Sequence, residues 1–316
     1  MRKGTLLAID IGGTQYSLAL VGADGHLRRR LQGRTDRRGG AEWMLGRVLE
    51  AGRKLMGESE VEACGIGFGG PVDFETQRVI SSTHVAGWED VPLATIVGRE
   101  LKLPTILEND ANAGGLGEFV YGAGRGCRNL VYLTISTGIG GGIILDGGIF
   151  RGSDGNAGEW GHVPVMADGP GCDCGNRGCL EAVCSGKSIG RRAEEAVCQH
   201  PRRGKFILDL AAGEEITAKV VFSAARQGDR LAREIVEETC TFLGMGIAAV
   251  VNGLAPDRVV IGGGVARAGG GLFEPLRIHA ARFTMPVHRP HLCIVPARRG
   301  GNSVLMGASA LAKKLL

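Results

Sequence analysis

The sequence predicts an α/β protein with two lobes, in which β-hairpins replace part of a purely parallel sheet. Two similar stretches support this class, residues 5–21 and residues 130–145, because each reads as a strand, a glycine-rich turn and a second strand. The length of 316 residues also exceeds the usual size of a single domain. We therefore predict an N-terminal lobe at residues 1–120 and a C-terminal lobe at residues 121–316, with the last helix able to return to the first lobe.

The composition is that of a soluble enzyme, apart from the 54 glycines, which suit turns with positive φ and sites built from backbone groups. Nine cysteines in a chain of this length do not indicate a disulfide scaffold, so we expect a reducing, cytoplasmic setting. There is no signal segment and no uninterrupted apolar run of about 18 residues, so we expect no membrane partner. The net charge of +4 is small, and the arginine-rich residues 28–38 suit a solvated strand face and turn better than a phosphate contact.

The first glycine turn, Gly12-Gly13-Thr14, lies between the apolar runs TLLAID and YSLALV and predicts a hairpin. Backbone N–H groups that converge in such a turn form a cradle for an anion. The second turn contains Thr137, Gly138 and Gly140 to Gly142 in the same kind of setting. The pair predicts one phosphate loop in each lobe.

Residues 40–56 predict a helix, and EACGIGFGGPVD then predicts a strand that enters another glycine turn. Its glycines at 65, 67 and 70 match the spacing of a dinucleotide fingerprint. Pro71 and an extended segment follow, however, where that fingerprint requires a helix. Gly186-Lys187-Ser188 likewise does not belong to a P-loop. That motif requires a glycine five positions before Gly186, at position 181, and this chain has Glu there.

The segment PTILENDANAGGLGEF, from Pro104, predicts a strand followed by a helix of small residues. Asp110 falls at the junction, where open α/β sheets place their ligand crevices, and the helix dipole there favours its charged form. Two interpretations remain at this point: a functional carboxylate, or an N-cap or capping neighbour of the helix.

One imidazole and three thiols, from His162, Cys172, Cys174 and Cys179, lie in a loop rich in Gly and Pro. This composition is typical of a structural zinc site, in which four N and S ligands form a tetrahedron. A thiol-rich surface loop is the alternative, since a single residue separates Cys172 from Cys174.

The rest of the chain predicts helices at about 186–199, 216–226 and 229–253, and the apolar second half of the last suits a core or a subunit interface. A strand, the glycine triplet at 262–264 and a further helix follow. A strand near 292–296 and a helix from about 302 close the chain.

Seven motifs taken together resemble the ROK family of bacterial sugar kinases and sugar-responsive repressors, in the order in which that family has them. They are DIGGT at 10–14, GGPVD at 69–73, LENDANA at 107–113, STGIGGGI at 136–143, GNAGEWGH at 155–162, CDCGNRGCLE at 172–181 and VVIGGGVARAG at 259–269. The resemblance covers nearly the whole chain. It implies a two-lobed actin/hexokinase-like (ribonuclease H-like) fold with a zinc-bound loop, and phosphorylation of a hexose by ATP, usually at its 6-hydroxyl.

The resemblance also implies roles for residues. Asp110 matches the general base that takes the proton of the sugar hydroxyl. The residues that match sugar-binding positions are Gly70, Asn109, Asp110, Glu159, His162 and Glu181. The residues that match nucleotide-side positions are Gly12, Gly13, Thr14, Thr137, Gly138, Gly262, Gly263 and Gly264, with Asp10 matching the carboxylate that orients Mg²⁺ through water. The metal ligands stay His162, Cys172, Cys174 and Cys179, and His162 also matches a sugar ligand.

Two positions depart from the family pattern: Gln15, where the family often has Lys, and Gly67-Phe68-Gly69-Gly70, where it has G-x-P-G. We expect a kinase acting on glucose, N-acetylglucosamine, N-acetylmannosamine or mannose, with polyphosphate as an alternative donor. A sugar-responsive regulator and a non-catalytic sugar-binding protein are the competing functions. Because the first phosphate loop begins at Asp10, there is no room before it for a helix-turn-helix, and we expect no nucleic-acid partner. The apolar half of the long helix and the family habit predict a homodimer.

Overall fold

The computed structural model describes residues 4–82 and 85–316. By its internal contacts the chain divides into two compact units. The first contains the chain to Arg128, Gly142–Gly158 and Arg298–Leu316, and the second contains Asn129–Gly141 and Glu159–Ala297. Both units combine sheets with helices, which confirms the predicted α/β class. The lobe boundary at residues 120 and 121 stays a prediction.

The first unit is built on a sheet of five strands. They are β1 (Thr5–Ile11), β2 (Gln15–Gly22), β3 (Leu27–Arg34), β4 (Val61–Phe68) and β7 (Thr105–Asn109). Their order is β3-β2-β1-β4-β7, with antiparallel pairing among the first three and parallel pairing of β1, β4 and β7. The short strands β5 (Val72–Asp73) and β6 (Arg78–Val79) form a separate ribbon. The predicted hairpin of β1 and β2 is confirmed.

Helices cover both faces of this sheet, because alternate residues of a strand point to opposite faces. They are α1 (Gly40–Met56), α2 (Leu93–Leu101), α3 (Asp110–Tyr121) and α10 (Ser303–Ala312). On one face Ile9, Ile66 and Leu107 form a core with the side chains of α1 and α2. The predicted helix at residues 40–56 is confirmed.

On the other face α10 packs against α3, β1 and β4. The approach to α3 is close, since a Cβ on Gly307 would lie 1.6 Å from the Ala113 carbonyl oxygen. The buried carboxylate of Glu118 reinforces it by accepting hydrogen bonds from the backbone N–H groups of Arg298 and Arg299 and from the Ser303 hydroxyl. Residues from both ends of the sequence therefore build one core.

The second sheet also has five strands. They are β8 (Leu130–Ile135), β9 (Ile139–Leu145), β10 (Gly148–Ile149), β11 (Arg258–Gly262) and β12 (Ile294–Pro296). Their order is β10-β9-β8-β11-β12, and β8, β11 and β12 are parallel. The second predicted strand–turn–strand stretch is thereby confirmed.

Six helices belong to the second unit. They are α4 (Leu180–Cys184), α5 (Gly186–Gln199), α6 (Pro201–Ala211), α7 (Ala218–Arg226), α8 (Arg230–Leu254) and α9 (Gly270–Phe283). The helices predicted after residue 185 correspond to α5, α7, α8, α9 and, in the first unit, α10, and the helix predicted after Asp110 corresponds to α3. The sequence analysis does not predict α2, α4 or α6. The apolar half of α8 is buried, with Leu243, Ile247 and Val250 in the core of this unit. Among the described residues, no helix is both long and apolar enough to cross a bilayer.

Candidate functional site

In the first unit, three parallel strands end at the same level and bring three loops together. Ile11 pairs with Phe68, and Phe68 pairs with Asn109. The Gly69 backbone N–H donates to the Ile11 carbonyl oxygen at 2.8 Å. A Cβ on Gly69 would lie 3.3 Å from Asp110 Oδ2 and 3.5 Å from Gly12 Cα. The Asp110 carboxylate therefore lies beside the first glycine turn, and only a residue without a side chain leaves this space open.

Asn109 fixes the start of α3. Its Oδ1 accepts hydrogen bonds from the backbone N–H groups of Ala111 and Asn112, so Asn109 is the N-cap and Asp110 is its neighbour, the first residue of the helix. The Asn109 Nδ2 group donates to the Gly70 carbonyl oxygen at 3.1 Å. This bond joins two of the predicted sugar-binding positions. The position of Asp110 at the helix N-terminus favours its charged form.

Asp10 lies near the end of β1 and is half-buried. Burial raises its pKa to about 7; the negative charge of Asp110 acts in the same direction, and the positive charge of Arg30 opposes both. Two carboxylates near one another are unfavourable without a cation between or beside them. The donor set thus suits a divalent cation with carboxylate and water ligands, as the sequence predicts for Mg²⁺ at Asp10.

The first glycine turn presents backbone donors. The Gly12 N–H is bonded to the Gln15 carbonyl oxygen at 3.0 Å. Within residues 4–82 and 85–316, the N–H groups of Gly13 and Thr14 have no hydrogen-bond acceptor. Unpaired N–H groups in a tight turn are what an anion-binding loop requires.

In the second unit, the turn between β8 and β9 contains Thr137 and Gly138, and Glu181 packs directly against it. Glu181 Oε2 accepts a hydrogen bond from the Ile139 backbone N–H at 2.6 Å. A Cβ on Gly138 would lie 2.4 Å from the same oxygen. The family resemblance implies sugar binding by Glu181 and nucleotide binding by Gly138, and these two residues are neighbours in the structure.

The glycine triplet that follows β11 lies against the end of β8. Gly263 has φ +86°, and a Cβ there would lie 2.2 Å from the Ile135 carbonyl oxygen. A Cβ on Gly262 would lie 2.4 Å from the Tyr132 hydroxyl. Gly264 has an ordinary backbone conformation, and its nearest neighbour is Ser136 Oγ at 3.8 Å. The triplet therefore borders the same turn as Thr137 and Gly138.

Glu159 immediately precedes a short 3-10 helix, Trp160–His162, and His162 is its last residue. This helix packs closely on β9, since a Cβ on Gly161 would lie 2.1 Å from the Ile139 carbonyl oxygen. His162 Nε2 faces Glu159 Oε2 at 3.6 Å, and Nδ1 lies on the other side of the ring. The two ring nitrogens can therefore serve different ligands.

The predicted metal ligands converge. The ligand atoms of His162, Cys172, Cys174 and Cys179 all lie within 4.8 Å of one another. His162 Nδ1 is 3.5 Å from Cys172 Sγ, and Cys174 Sγ is 3.7 Å from Cys179 Sγ. Zn–S bonds of about 2.3 Å in a tetrahedron imply S–S separations of about 3.8 Å and S–N separations of about 3.5 Å. The donor set fits a tetrahedral zinc ion, which favours the metal site over the thiol-rich surface loop.

The environment of the thiols is asymmetric. A hydrogen bond from the Asn176 backbone N–H lowers the pKa of Cys174 to about 7, whereas burial raises the pKa of Cys179 to about 12. Thiolates, not thiols, bind metal ions, so metal binding at this cluster releases protons.

Three charged residues of the first unit have no predicted role: Glu108, Arg151 and Arg37. Glu108 is buried and forms an ion pair with Arg151 in the first unit. The exposed Arg37 donates from Nε to the Gly13 carbonyl oxygen at 3.0 Å. A charged residue in a buried strand, as at Glu108, signals that a partner exists but does not identify it. The arginine-rich residues 28–38 stand out in the sequence, but a run of arginines is also typical of a solvated face and does not indicate the contact of Arg37 with Gly13.

An open concavity of about 640 Å³ runs along α8. None of the predicted site residues lines it. The predicted site residues lie instead at the strand ends of the two sheets and in the metal cluster.

Comparison with known proteins identifies relatives over the whole chain. A sequence model of the ROK family matches residues 6–315. The glucokinase of Thermotoga maritima is 37% identical over 315 residues, covering 99% of each chain. The glucokinase of Halalkalibacterium halodurans is 37% identical over 286 residues, covering 89% of this chain and 86% of the relative.

A solved structure has the same fold. It is a ROK family glucokinase from Streptomyces griseus in complex with glucose and AMPPNP, with a TM-score of 0.88 and 34% identity; the match covers 98% of this chain and 100% of that one. The predicted actin/hexokinase-like fold class is thereby confirmed.

Proposed function

The chain belongs to the ROK family, and we propose that it transfers the γ-phosphoryl group of ATP to the 6-hydroxyl of a hexose. Glucose is the first substrate to test, because both of the relatives described above are glucokinases and the similar structure contains glucose. The observation that carries the proposal is the Asp110 carboxylate beside a glycine turn in which the Gly13 and Thr14 N–H groups have no acceptor among the described residues. A base and an anion cradle are thus adjacent in one unit.

In this proposal Asp110 is the general base. It accepts the proton of the attacking hydroxyl as the oxygen approaches the phosphorus atom. Asp110 is the first residue of α3, and a helix N-terminus favours a carboxylate in the charged form that can accept a proton. Asn109 fixes where α3 begins and so fixes the position of Asp110.

The sugar is bound by hydroxyl contacts from the polar residues that the family resemblance assigns to it. A carboxylate or an imidazole can accept a hydrogen bond from one or two neighbouring hydroxyls. The residues proposed for this role are Gly70, Asn109, Glu159, His162 and Glu181. His162 reaches the metal cluster through Nδ1, which leaves Nε2 for the sugar.

The nucleotide is bound by backbone groups. In the first glycine turn, Gly13 and Thr14 donate their N–H groups to phosphate oxygens, whereas the Gly12 N–H closes the turn on the Gln15 carbonyl oxygen. Thr137 and Gly138 also bind phosphate oxygens, and Gly262 to Gly264 line the adenosine. Asp10 would orient Mg²⁺ through water, and the ion would neutralise charge on the phosphate oxygens. Positioning and charge neutralisation supply most of the rate in phosphoryl transfer.

Zinc, bound by His162 and the three cysteines, has a structural function in this proposal. Four protein ligands leave no open position for a reactive water molecule. The cluster instead holds the segment that carries His162 and leads into Glu181, because Cys179 immediately precedes α4. Support of this kind acts on sugar affinity and not on the chemical step itself.

The test is a coupled assay with ATP and a panel of glucose, mannose, N-acetylglucosamine and N-acetylmannosamine. We expect turnover with at least one of these sugars. Separately, we expect the protein to be a homodimer. If calorimetry detects sugar binding but no sugar is phosphorylated, the kinase proposal is wrong and a sugar-responsive regulator or a sugar-binding protein becomes the better interpretation. A parallel assay with polyphosphate identifies the donor.

A further inference from the structure

The segment that follows β3 covers the carbonyl groups of the first glycine turn. The Thr35 hydroxyl donates to the Gly12 carbonyl oxygen at 2.8 Å, and the Thr35 backbone N–H donates to the Thr14 carbonyl oxygen at 3.0 Å. Arg37 Nε donates to the Gly13 carbonyl oxygen at 3.0 Å. All three carbonyls of the turn therefore have partners, whereas the N–H groups of Gly13 and Thr14 do not have one among the described residues. These contacts to the carbonyl groups hold the turn in a conformation in which the N–H groups of Gly13 and Thr14 can donate to a ligand.

Arg37 uses only part of its hydrogen-bonding capacity in this contact. A guanidinium group has five N–H donors, and the contact with Gly13 takes the one on Nε. Within the described part of the chain, Arg37 forms no ion pair, and its side chain is exposed. Among the residues that the structure describes, this positive charge has no acidic partner, and both terminal nitrogens of Arg37 are without an acceptor.

The turn itself contributes no side-chain charge at this point. The residue that follows it, Gln15, is neutral, and its cross-strand neighbour is Arg34, which is also exposed. Arginine suits phosphate because its planar group can bind two oxygens at once. A triphosphate carries several negative charges, and backbone N–H groups alone offset them only in part.

We propose that Arg37 is a donor-binding residue, which contacts the phosphate chain of a nucleoside triphosphate seated on the N–H groups of Gly13 and Thr14. Its Nε bond to Gly13 orients the guanidinium group, and the terminal N–H groups bind phosphate oxygens. Arg34 adds to the positive potential without this anchoring bond. The inference rests on the proposed function for the identity of the ligand, and it assigns a specific residue to the phosphate chain.

The test measures affinity against phosphate number. Binding of AMP, ADP and AMP-PNP is measured by calorimetry for the wild-type protein, Arg37→Gln, Arg37→Lys and the matched control Arg38→Gln. Arg38 is the adjacent exposed arginine, and its side chain makes no hydrogen bond to a described residue. Thermal unfolding and the dissociation constant for glucose are recorded for every variant.

We expect Arg37→Gln to weaken AMP-PNP binding about tenfold, which is the loss of one charge-assisted contact. The affinities for AMP and for glucose should stay within twofold of wild type, because neither depends on the terminal phosphates. Arg37→Lys should recover part of the loss, and Arg38→Gln should bind like wild type. Arg37→Gln can still donate to Gly13 from its amide, so a loss that grows with phosphate number reports charge and not loop support.

Two results would overturn the inference. One is AMP-PNP binding by Arg37→Gln at wild-type strength, and the other is an equal loss for AMP and AMP-PNP. A wild-type protein that binds neither AMP-PNP nor inorganic tripolyphosphate also contradicts it. If wild type binds AMP-PNP but phosphorylates no hexose, only the proposed function fails.

Discussion

Arg151 donates two hydrogen bonds to a single carboxylate oxygen of Glu108, from Nε at 2.9 Å and from Nη2 at 2.6 Å. Glu108 is 1% exposed, and its other oxygen accepts from the Asn109 backbone N–H and from Asn112 Nδ2. The Arg151 guanidinium also lies 3.5 Å from the centre of the Phe74 ring. A buried ion pair therefore holds the end of β7 immediately before Asp110.

Replacing Arg151 by Met should lower the free energy of unfolding by about 2–4 kcal/mol, because it leaves the Glu108 carboxylate buried without its partner. Urea unfolding followed by circular dichroism measures the change. The matched control is Arg128→Met, which removes an exposed ion pair to Asp146 and should cost less than about 1 kcal/mol. Equal effects of the two substitutions would show that Glu108 does not depend on Arg151.

Asp110→Asn should lower kcat by about 100- to 10,000-fold, because the amide cannot accept the proton of the sugar hydroxyl. The dissociation constant for the sugar should stay within a few-fold of wild type, since the side chain keeps its size and its position. Steady-state assays and calorimetry measure the two quantities. Asp146→Asn is the control, because Asn tolerates the positive φ of 50° at that exposed position. Near-normal turnover of Asp110→Asn would refute the assignment of the base.

Cys174→Ser should reduce the zinc content of the purified protein and weaken sugar binding by about tenfold or more, because the loop that carries His162 loses its support. Elemental analysis and calorimetry measure these effects, and removal of the metal by a chelator should reproduce them in wild type. Cys198→Ser, at an exposed thiol outside the cluster, should change neither quantity. If chelation removes zinc and sugar affinity is unchanged, the supporting function is wrong.

Gly263→Ala should destabilise the protein by about 2–4 kcal/mol. The residue has positive φ, and the new methyl group would lie 2.2 Å from a backbone oxygen of β8. Gly264→Ala should change the stability by less than about 1 kcal/mol, because its backbone is helical and its nearest neighbour is 3.8 Å away. Thermal unfolding of the two variants side by side tests the difference. Similar midpoints for both would contradict the close approach at Gly263.

The features that the sequence predicted well are those encoded by residues close together in the chain. The hairpin around Gly12 follows from a local alternation of apolar residues, and the position of Asp110 follows from a strand that meets a helix. The metal ligands lie between His162 and Cys179, so a single loop can gather them. In each case one short segment contains all of the necessary information.

Features that depend on long-range contacts could not be predicted. Glu108 and Arg151 are 43 residues apart, and the sequence around either residue does not indicate that the other is its partner. The contact of Arg37 with Gly13 depends on how the chain returns after β3. Helix α6 is hard to find because several of its large apolar residues, Phe206, Leu208 and Leu210, are exposed, whereas small residues, Gly204 and Ala211, are buried beside Ile207. Apolar character therefore does not mark its buried face.

The helix α10 fills one face of a sheet whose strands come from the first third of the sequence. During translation, the ribosome completes all of the second unit before it makes residues 298–316. The first unit therefore cannot cover Ala8, Ala19 and Gly117 until residues 303–312 have been made. A chain that lacks α10 should therefore leave the first unit without part of its core, even though all five strands of its sheet and Asp110 are present.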